Sequence, residues 1–175
     1  DFYEVNVSSD VIVELKNEGE DRVSVDSAMT GTFTLSANVE HVDAEINHNN
    51  INLIGNAENN HMAAGFGDNL LSGGAGDDEL HGNGGNDTLD GGVGDDIAFL
   101  WDDSTDYVVA RLSTTDIRLT NKLSGEVTVA RGIEWFWFND GTFSWDDITH
   151  GIASNNKETL VGTLGNDVID ALGGD

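Results

Sequence analysis

The 175 residues predict an all-β chain built as a parallel β-solenoid with an antiparallel β-rich capping or spacer segment. Three observations carry that expectation. Apolar residues recur every nine positions, glycine and an acid or asparagine recur on the same beat, and the stretch that breaks the beat alternates like β-strands. A period of nine with one buried residue per unit is not helical, and 22 glycines argue against helix as well. It fits a short strand and a glycine turn, stacked so that each unit buries its apolar side chain against its neighbours.

Charge narrows the class of partners. The net charge is −26, from 33 acidic and 7 basic side chains, and no Lys or Arg lies between Arg22 and Arg111. Such a surface repels nucleic acid and anionic lipid, since both are bound by basic side chains that displace counterions. It also repels itself, so a compact form needs bound cations, high salt or strong strand pairing. Without cysteine there are no disulfides and no thiolate metal sites. No stretch approaches the ~20 apolar residues of a membrane span. The first residues, "DFYEVNVSSD", lack the regions of a signal peptide, and the last, "GNDVIDALGGD", stop in mid-pattern, so the chain reads as a piece of something longer.

Residues 1–45 contain "FYEVNV", "VIVEL" and "DRVSV", separated by turn-like "NVSSD" and "KNEGED". They read as short strands of metal-poor solenoid coils continuous with the repeat segment. Residues 46–99 hold the beat. Three units align directly: "GGAGDDELH" (73–81), "GNGGNDTLD" (82–90) and "GGVGDDIAF" (91–99). Stepping back by nine from Ala98 gives Leu89, Leu80, Leu71, Met62, Leu53, Ala44 and Leu35, all apolar, so the repeat is expected to reach back to about residue 35. Place six reads Asn60, Asn69, Asp78, Asp87, Asp96, and place four reads Glu58, Gly67, Gly76, Gly85, Gly94. Only from about residue 64 is the turn both glycine-rich and acid-bearing, and the earlier turns are expected to close with asparagine hydrogen bonds.

After Phe99 the beat breaks. Residues 100–150, including "DYVVARLSTTDIRLTNKLSGEVTVARGIEWFWFNDGTFSWDDI", read as an insert or cap, a meander of antiparallel strands with "SGE" and "NDG" as turns. Residues 151–175 begin a second, truncated repeat block, with Asp167 at place six of "GTLGNDVID".

The run "GGAGDDELHGNGGNDTLDGGVGDD" resembles the hemolysin-type calcium-binding nonapeptide of the RTX family, G-G-x-G-x-D-x-U-x with U a large apolar residue. The resemblance implies a calcium-bound parallel β-roll of two nonapeptides per turn, with ions between loops eighteen residues apart. Calcium suits such turns, because it takes six to eight oxygens at ~2.3–2.6 Å from carboxylates and carbonyls. Two or three Ca²⁺ ions are implied. One would use the carbonyls of Gly65, Gly67, Gly82 and Gly84 with Asp87 and Asn69. A second would use Gly74, Gly76, Gly91 and Val93 with Asp78 and Asp96. A third would sit where Asn83, Gly85 and Asp87 face Asp102 or Asp103.

The same resemblance implies a secreted, extracellular bacterial protein that crosses a type I secretion apparatus unfolded and folds outside on calcium. A toxin, protease, lipase, adhesin or polysaccharide enzyme all fit as the parent. No enzyme signature is found: G-x-S-x-G is absent, the glycine runs match neither G-x-G-x-x-G nor a P-loop, and the repeated acid pairs are repeat chemistry, not a unique site. His41, His48, His61, His81 and His150 read as scattered surface residues, since no helix carries H-E-x-x-H. Trp135, Trp137 and Trp145 read first as a hydrophobic cap on the solenoid end, and alternatively as an aromatic platform for polysaccharide or a cell surface.

Overall fold

The computed structural model describes residues 1–6, 10–16, 18–45 and 49–150, and the expected second repeat block with Asp167 lies outside them, as does His48. Short strands alternate between two sheets, because each turn reverses the chain and sends it across the core.

One sheet stacks β1 (Phe2–Val5), β2 (Arg22–Val25), β4 (His41–Asp43), β6 (His61–Ala63), β8 (Glu79–His81), β10 (Ile97–Phe99) and β14 (Trp135–Phe138) in parallel, with β15 (Gly141–Ser144) antiparallel at its end. The other stacks β3 (Gly31–Thr34), β5 (Ile51–Ile54), β7 (Leu70–Ala75), β9 (Asp87–Val93) and β13 (Val127–Arg131) in parallel. On β13 the antiparallel strands β12 (Asp116–Asn121) and β11 (Tyr107–Arg111) are added. The expected parallel solenoid with antiparallel strands is therefore the observed fold.

Alternation along each strand puts one central side chain inward. Val23, Val42, Met62, Leu80, Ala98 and Phe136 stack in one column, and Phe33, Leu53, Leu71, Leu89 and Ala130 in the facing one, none more than 2% exposed. The last two coils each combine a small and a large residue, Leu89 with Ala98 and then Ala130 with Phe136, which keeps the core filled.

Two expectations need correction. Leu35 and Ala44 are buried, yet the stacked partners of Leu53 and Met62 are Phe33 and Val42. The reason is coil length. His61 pairs with Glu79 eighteen residues on, whereas His41 pairs with His61 twenty residues on. Positions two apart in a strand share a face, so a step of nine still lands on inward residues in the longer coils. The beat survives there while the register does not.

The second correction concerns the meander. Strands β11 to β13 and the hairpin β14–β15 are antiparallel as expected, but β13 and β14 also pair in parallel with β9 and β10. The chain leaves the roll at Leu100, makes an excursion, and returns to build another coil. Helix α1 (Trp145–Thr149) then packs against β15 and β11, its start fixed by a capping box of Ser144 with Asp147.

Candidate metal centre

The repeat turns bury what solvent normally keeps. Asp78 and Asp96 are 0% exposed and Asp87 is 3% exposed, although ionised carboxylates are rarely buried without partners. Their first oxygens are satisfied by the stacking. The backbone N–H of Asn60 donates to Asp78 Oδ1 (2.7 Å), that of Asp78 to Asp96 Oδ1 (2.8 Å), and that of Asn69 to Asp87 Oδ1 (2.9 Å). Each place-six acid thus reaches back one coil.

Their second oxygens are different. Oδ2 of Asp78 and Oδ2 of Asp96 are sealed from solvent and have no hydrogen-bond partner among the described residues. Glycine makes room for them. A Cβ on Gly73 would lie within 3.0 Å of both Asp78 Oδ2 and the Gly91 carbonyl oxygen, and a Cβ on Gly91 within 3.0 Å of both Asp96 Oδ2 and the Gly132 carbonyl oxygen. Each cradle therefore collects a bare carboxylate oxygen and a main-chain oxygen of the next coil.

Burial raises the pKa of all three acids. Asp96 is pushed up to about 6 by burial, with Asp78, Glu134 and Asp77 adding like-charge repulsion against the hydrogen bond from Asp78 N–H, which pulls the other way. Asp87 is pushed up to about 7 by burial, and Asp78 is raised for the same reason. Burial thus sets a cost on ionising each of these groups that a cation would relieve. Uncompensated hard oxygens, main-chain carbonyls and excess negative charge are a donor set suited to Ca²⁺.

The asparagine turns supply the contrast. Asn69 Nδ2 donates to the carbonyls of Gly65 (3.2 Å) and Gly67 (2.7 Å), and its Oδ1 accepts from Ile51 N–H. Asn60 Nδ2 likewise reaches Val39 O (3.1 Å) and Asn56 Oδ1 (3.2 Å). An amide carries its own donors where an aspartate presents a bare oxygen. The expected asparagine closure of the early turns is observed.

Of the three ligand sets expected from the sequence, the one on loops 73–78 and 91–96 has its loops stacked, with Gly74 opposite Gly92 and the N–H of Gly76 donating to Val93 O (2.9 Å). In the set built on Gly65, Gly67, Gly82, Gly84 and Asp87, the Asn69 amide already spans the two carbonyls of its own loop. Asn83, Gly85, Asp87 and Asp102 line one cavity with Tyr107, Asn121 and Glu126. There Asp102 Oδ2 accepts from Asn121 Nδ2 (2.7 Å), and Asn83 links Ala64 O to Trp101 Nε1. Asp103 is not in that lining and instead stands at the start of a 3-10 turn, Ser104–Asp106, without a side-chain capping hydrogen bond.

Sequence reasoning missed two acids. Glu134 Oε2 accepts from the N–H of Asp96 (2.9 Å), the place that a place-six aspartate takes in the preceding coils. The usable signal was an acid directly before an apolar strand, "IEWFWF" beside "DDELH" and "DDIAF". Glu126 Oε1 accepts from Gly85 N–H (3.2 Å) and has no comparable signal.

The aromatic residues divide. Trp135 (45% exposed), Trp137 and Trp101 (49% exposed) lie on the outer face beside Phe99, whose ring stacks on Trp137 at 5.5 Å. Trp145 turns the other way, packing with Ile148 against the core near Phe136. The histidines correct another expectation: His41, His61 and His81 are not scattered but form one ladder, at 5.8 and 4.7 Å between successive rings. The signal was their spacing of twenty residues, one coil from His41 to His61 and one eighteen-residue coil plus two positions from His61 to His81.

The chain carries RTX calcium-binding nonapeptide repeats, since the family model so described, in four copies, matches residues 52–78, 63–98 and 152–175. No curated protein matches the chain. Among solved structures, the extracellular lipase LipA from Serratia marcescens is similar at 21% identity and a TM-score of 0.49, over 74% of this chain and 20% of that one. The chain spans about a fifth of that structure's length.

Proposed function

We propose that this chain is a non-catalytic, calcium-binding β-roll module of a larger secreted bacterial protein, and that calcium folds it after passage through a type I secretion apparatus. The observation that carries the reading is the pair of buried, partnerless oxygens on Asp78 and Asp96, each set beside a carbonyl of the next coil. One ion would be held by Asp78, Asp96 and the carbonyls around Gly91, with Glu134 fixing the orientation of the Asp96 turn. A second would be held in the cavity of Asn83, Gly85, Asp87 and Asp102. When bound, calcium supplies positive charge and coordination. The chain's own residues supply stacked turns, glycine clearance and exclusion of water.

Linkage gives the scale. A ligand that binds only the folded state stabilises it by roughly 2.7 kcal/mol per site at a hundredfold excess over Kd. Two sites then contribute about 5 kcal/mol, comparable to the lower end of domain stability. In this reading residues 1–45 are metal-poor coils, 46–99 the calcium-binding roll, 100–150 a capping segment whose β13 and β14 add one more coil, and 151–175 the start of the next block. Among the described residues no helix is long and apolar enough to cross a membrane.

Circular dichroism during a calcium titration tests the reading, with Asp78→Ala and Asp96→Ala alongside the parent chain. The expected result is coil without calcium, β-structure with it, and a midpoint raised in both variants. An unchanged midpoint in both would remove the proposed site.

A second reading rests on the half-exposed Trp101 and Trp135 beside Trp137, which form an aromatic strip fit for stacking on sugar rings. An adhesin or polysaccharide-binding role predicts a tryptophan fluorescence shift on adding polysaccharide to the calcium-loaded protein. Absence of that shift leaves the strip as a cover for the sheet.

A further inference from the structure

Outside the repeat turns, the outer face of β6 and β8 gathers a second kind of donor. Strand register places His61 directly opposite Glu79, and alternation places His81 two residues further along on the same face. One ring nitrogen of each histidine and one Glu79 carboxylate oxygen lie within 4.8 Å of one another, with His61 Nε2 at 3.9 Å from Glu79 Oε2. Independently, Nε2 of His81 is sealed from solvent without a hydrogen-bond partner among the described residues, and the residue as a whole is only 6% exposed. The Phe99 ring stacks on His81 at 4.1 Å and the His61 ring lies 4.7 Å away, so the imidazole is held in place by its neighbours.

We infer that His61, Glu79 and His81 form a binding site for a borderline-soft divalent transition-metal ion of the Zn²⁺ class, separate from the calcium turns. The donor chemistry separates the two. Two imidazoles and one carboxylate suit Zn²⁺, whereas Ca²⁺ takes oxygen donors almost exclusively. A tetrahedral ion with bonds of ~2.0–2.1 Å holds its ligands ~3.3 Å apart. The His61 to Glu79 gap therefore closes by about 0.6 Å on binding, and the widest pair by no more than about 1.5 Å, within side-chain rotation. His61 and Glu79 are 33% and 51% exposed, so the ion enters from solvent at their side and meets His81 beneath. Three protein ligands leave a fourth position for water. The bound ion ties β6 to β8, two successive coils, through side chains in place of main-chain hydrogen bonds alone.

The test uses the calcium-loaded full chain in millimolar calcium, so that the turn acids are occupied and a failure here leaves the calcium reading untouched. Zn²⁺ is titrated by calorimetry, and Co²⁺ is added separately as a spectroscopic probe of coordination. Expected are one Zn²⁺ per chain and a Co²⁺ visible band typical of four-coordinate nitrogen and oxygen ligation. His81→Ala, His61→Ala and Glu79→Gln should each weaken Zn²⁺ binding by roughly tenfold or more, since loss of even an outer partner of a ligand costs 10- to 100-fold. His41→Ala and His150→Ala should leave it unchanged. Binding that survives all three ligand substitutions, or that His150→Ala abolishes, overturns the assignment, as does no Zn²⁺ binding in the parent chain. If His81→Ala loses its β-structure in calcium, the two surface variants decide the question.

Discussion

Asp96→Asn should convert a calcium-dependent turn into a self-sufficient one. A carboxyl held at about 6 instead of its ordinary 3.8 penalises the ionised, metal-free fold by roughly 3 kcal/mol at neutral pH. The amide removes that charge and places two N–H donors where Asp96 Oδ2 now sits, beside the Gly132 carbonyl. Asn69 already holds its own loop this way, through Gly65 and Gly67. The metal-free fold should therefore gain up to about 3 kcal/mol, while calcium-linked stabilisation falls by roughly 2.7 kcal/mol at a hundredfold excess over the parent Kd. Urea unfolding in calcium measures the loss, and the circular dichroism of the variant in chelator, where the parent is coil, reads the gain. A variant that shows no more β-structure than the parent in chelator, or an undiminished calcium response, refutes the claim that the bare oxygen is what calcium satisfies.

The same turns set the response to pH and to added side-chain bulk. Because folding raises the pKa of Asp96 to about 6 and of Asp87 to about 7, with Asp78 shifted in the same direction, the metal-free fold has the acid-linked stability of Asp87 and Asp96 below about pH 4 and loses it as pH rises through about 6 to 7. Calcium binding to the folded metal-free form runs the other way: at pH 5 a carboxyl titrating at about 6 is only about one-tenth ionised, so calcium affinity measured by calorimetry, in conditions where the metal-free fold persists, should fall about tenfold between pH 8 and pH 5. Gly91→Ala should abolish the calcium response, because its Cβ would collide with the Gly132 carbonyl and the Asp96 carboxylate. Gly84→Ala, whose Cβ meets the Phe66 ring at 3.1 Å and Glu126 at 3.9 Å, should keep the response, and the paired titrations check this.

What the sequence made legible is what the chain encodes locally. A buried residue every nine positions, a glycine for each close approach and an aspartate or asparagine at each turn are all set within one unit, so Leu71, Leu80 and Leu89 and the two turn chemistries could be read directly. Partnership between coils was harder, because it depends on how many residues separate two strands. Where the spacing is eighteen, two steps of nine reach the stacked partner; where it is twenty, the same steps pick Leu35 over Phe33. Where an excursion intervenes, the return of β13 and β14 to the roll had no periodic signal, and Glu134 was missed with it.

The difference between asparagine and aspartate at place six explains why one scaffold can hold two kinds of coil. Stacking requires a side-chain oxygen that accepts the N–H of the preceding coil, and both residues provide it, Asn69 to Ile51 and Asp87 to Asn69. They differ in the second atom. In Asn69 it donates to the carbonyls of its own turn, and in Asn60 to Val39 O of the preceding coil and to Asn56 Oδ1. In Asp78 and Asp96 it leaves an acceptor facing acceptors, in a segment without lysine or arginine to neutralise it. Hydrophobic burial is equal in the two, since Leu53, Leu71 and Leu89 are all fully covered, so the core does not decide which coils need an ion. That requirement sits in one atom per turn, which is why an aspartate-to-asparagine exchange is expected to move metal dependence without moving the fold.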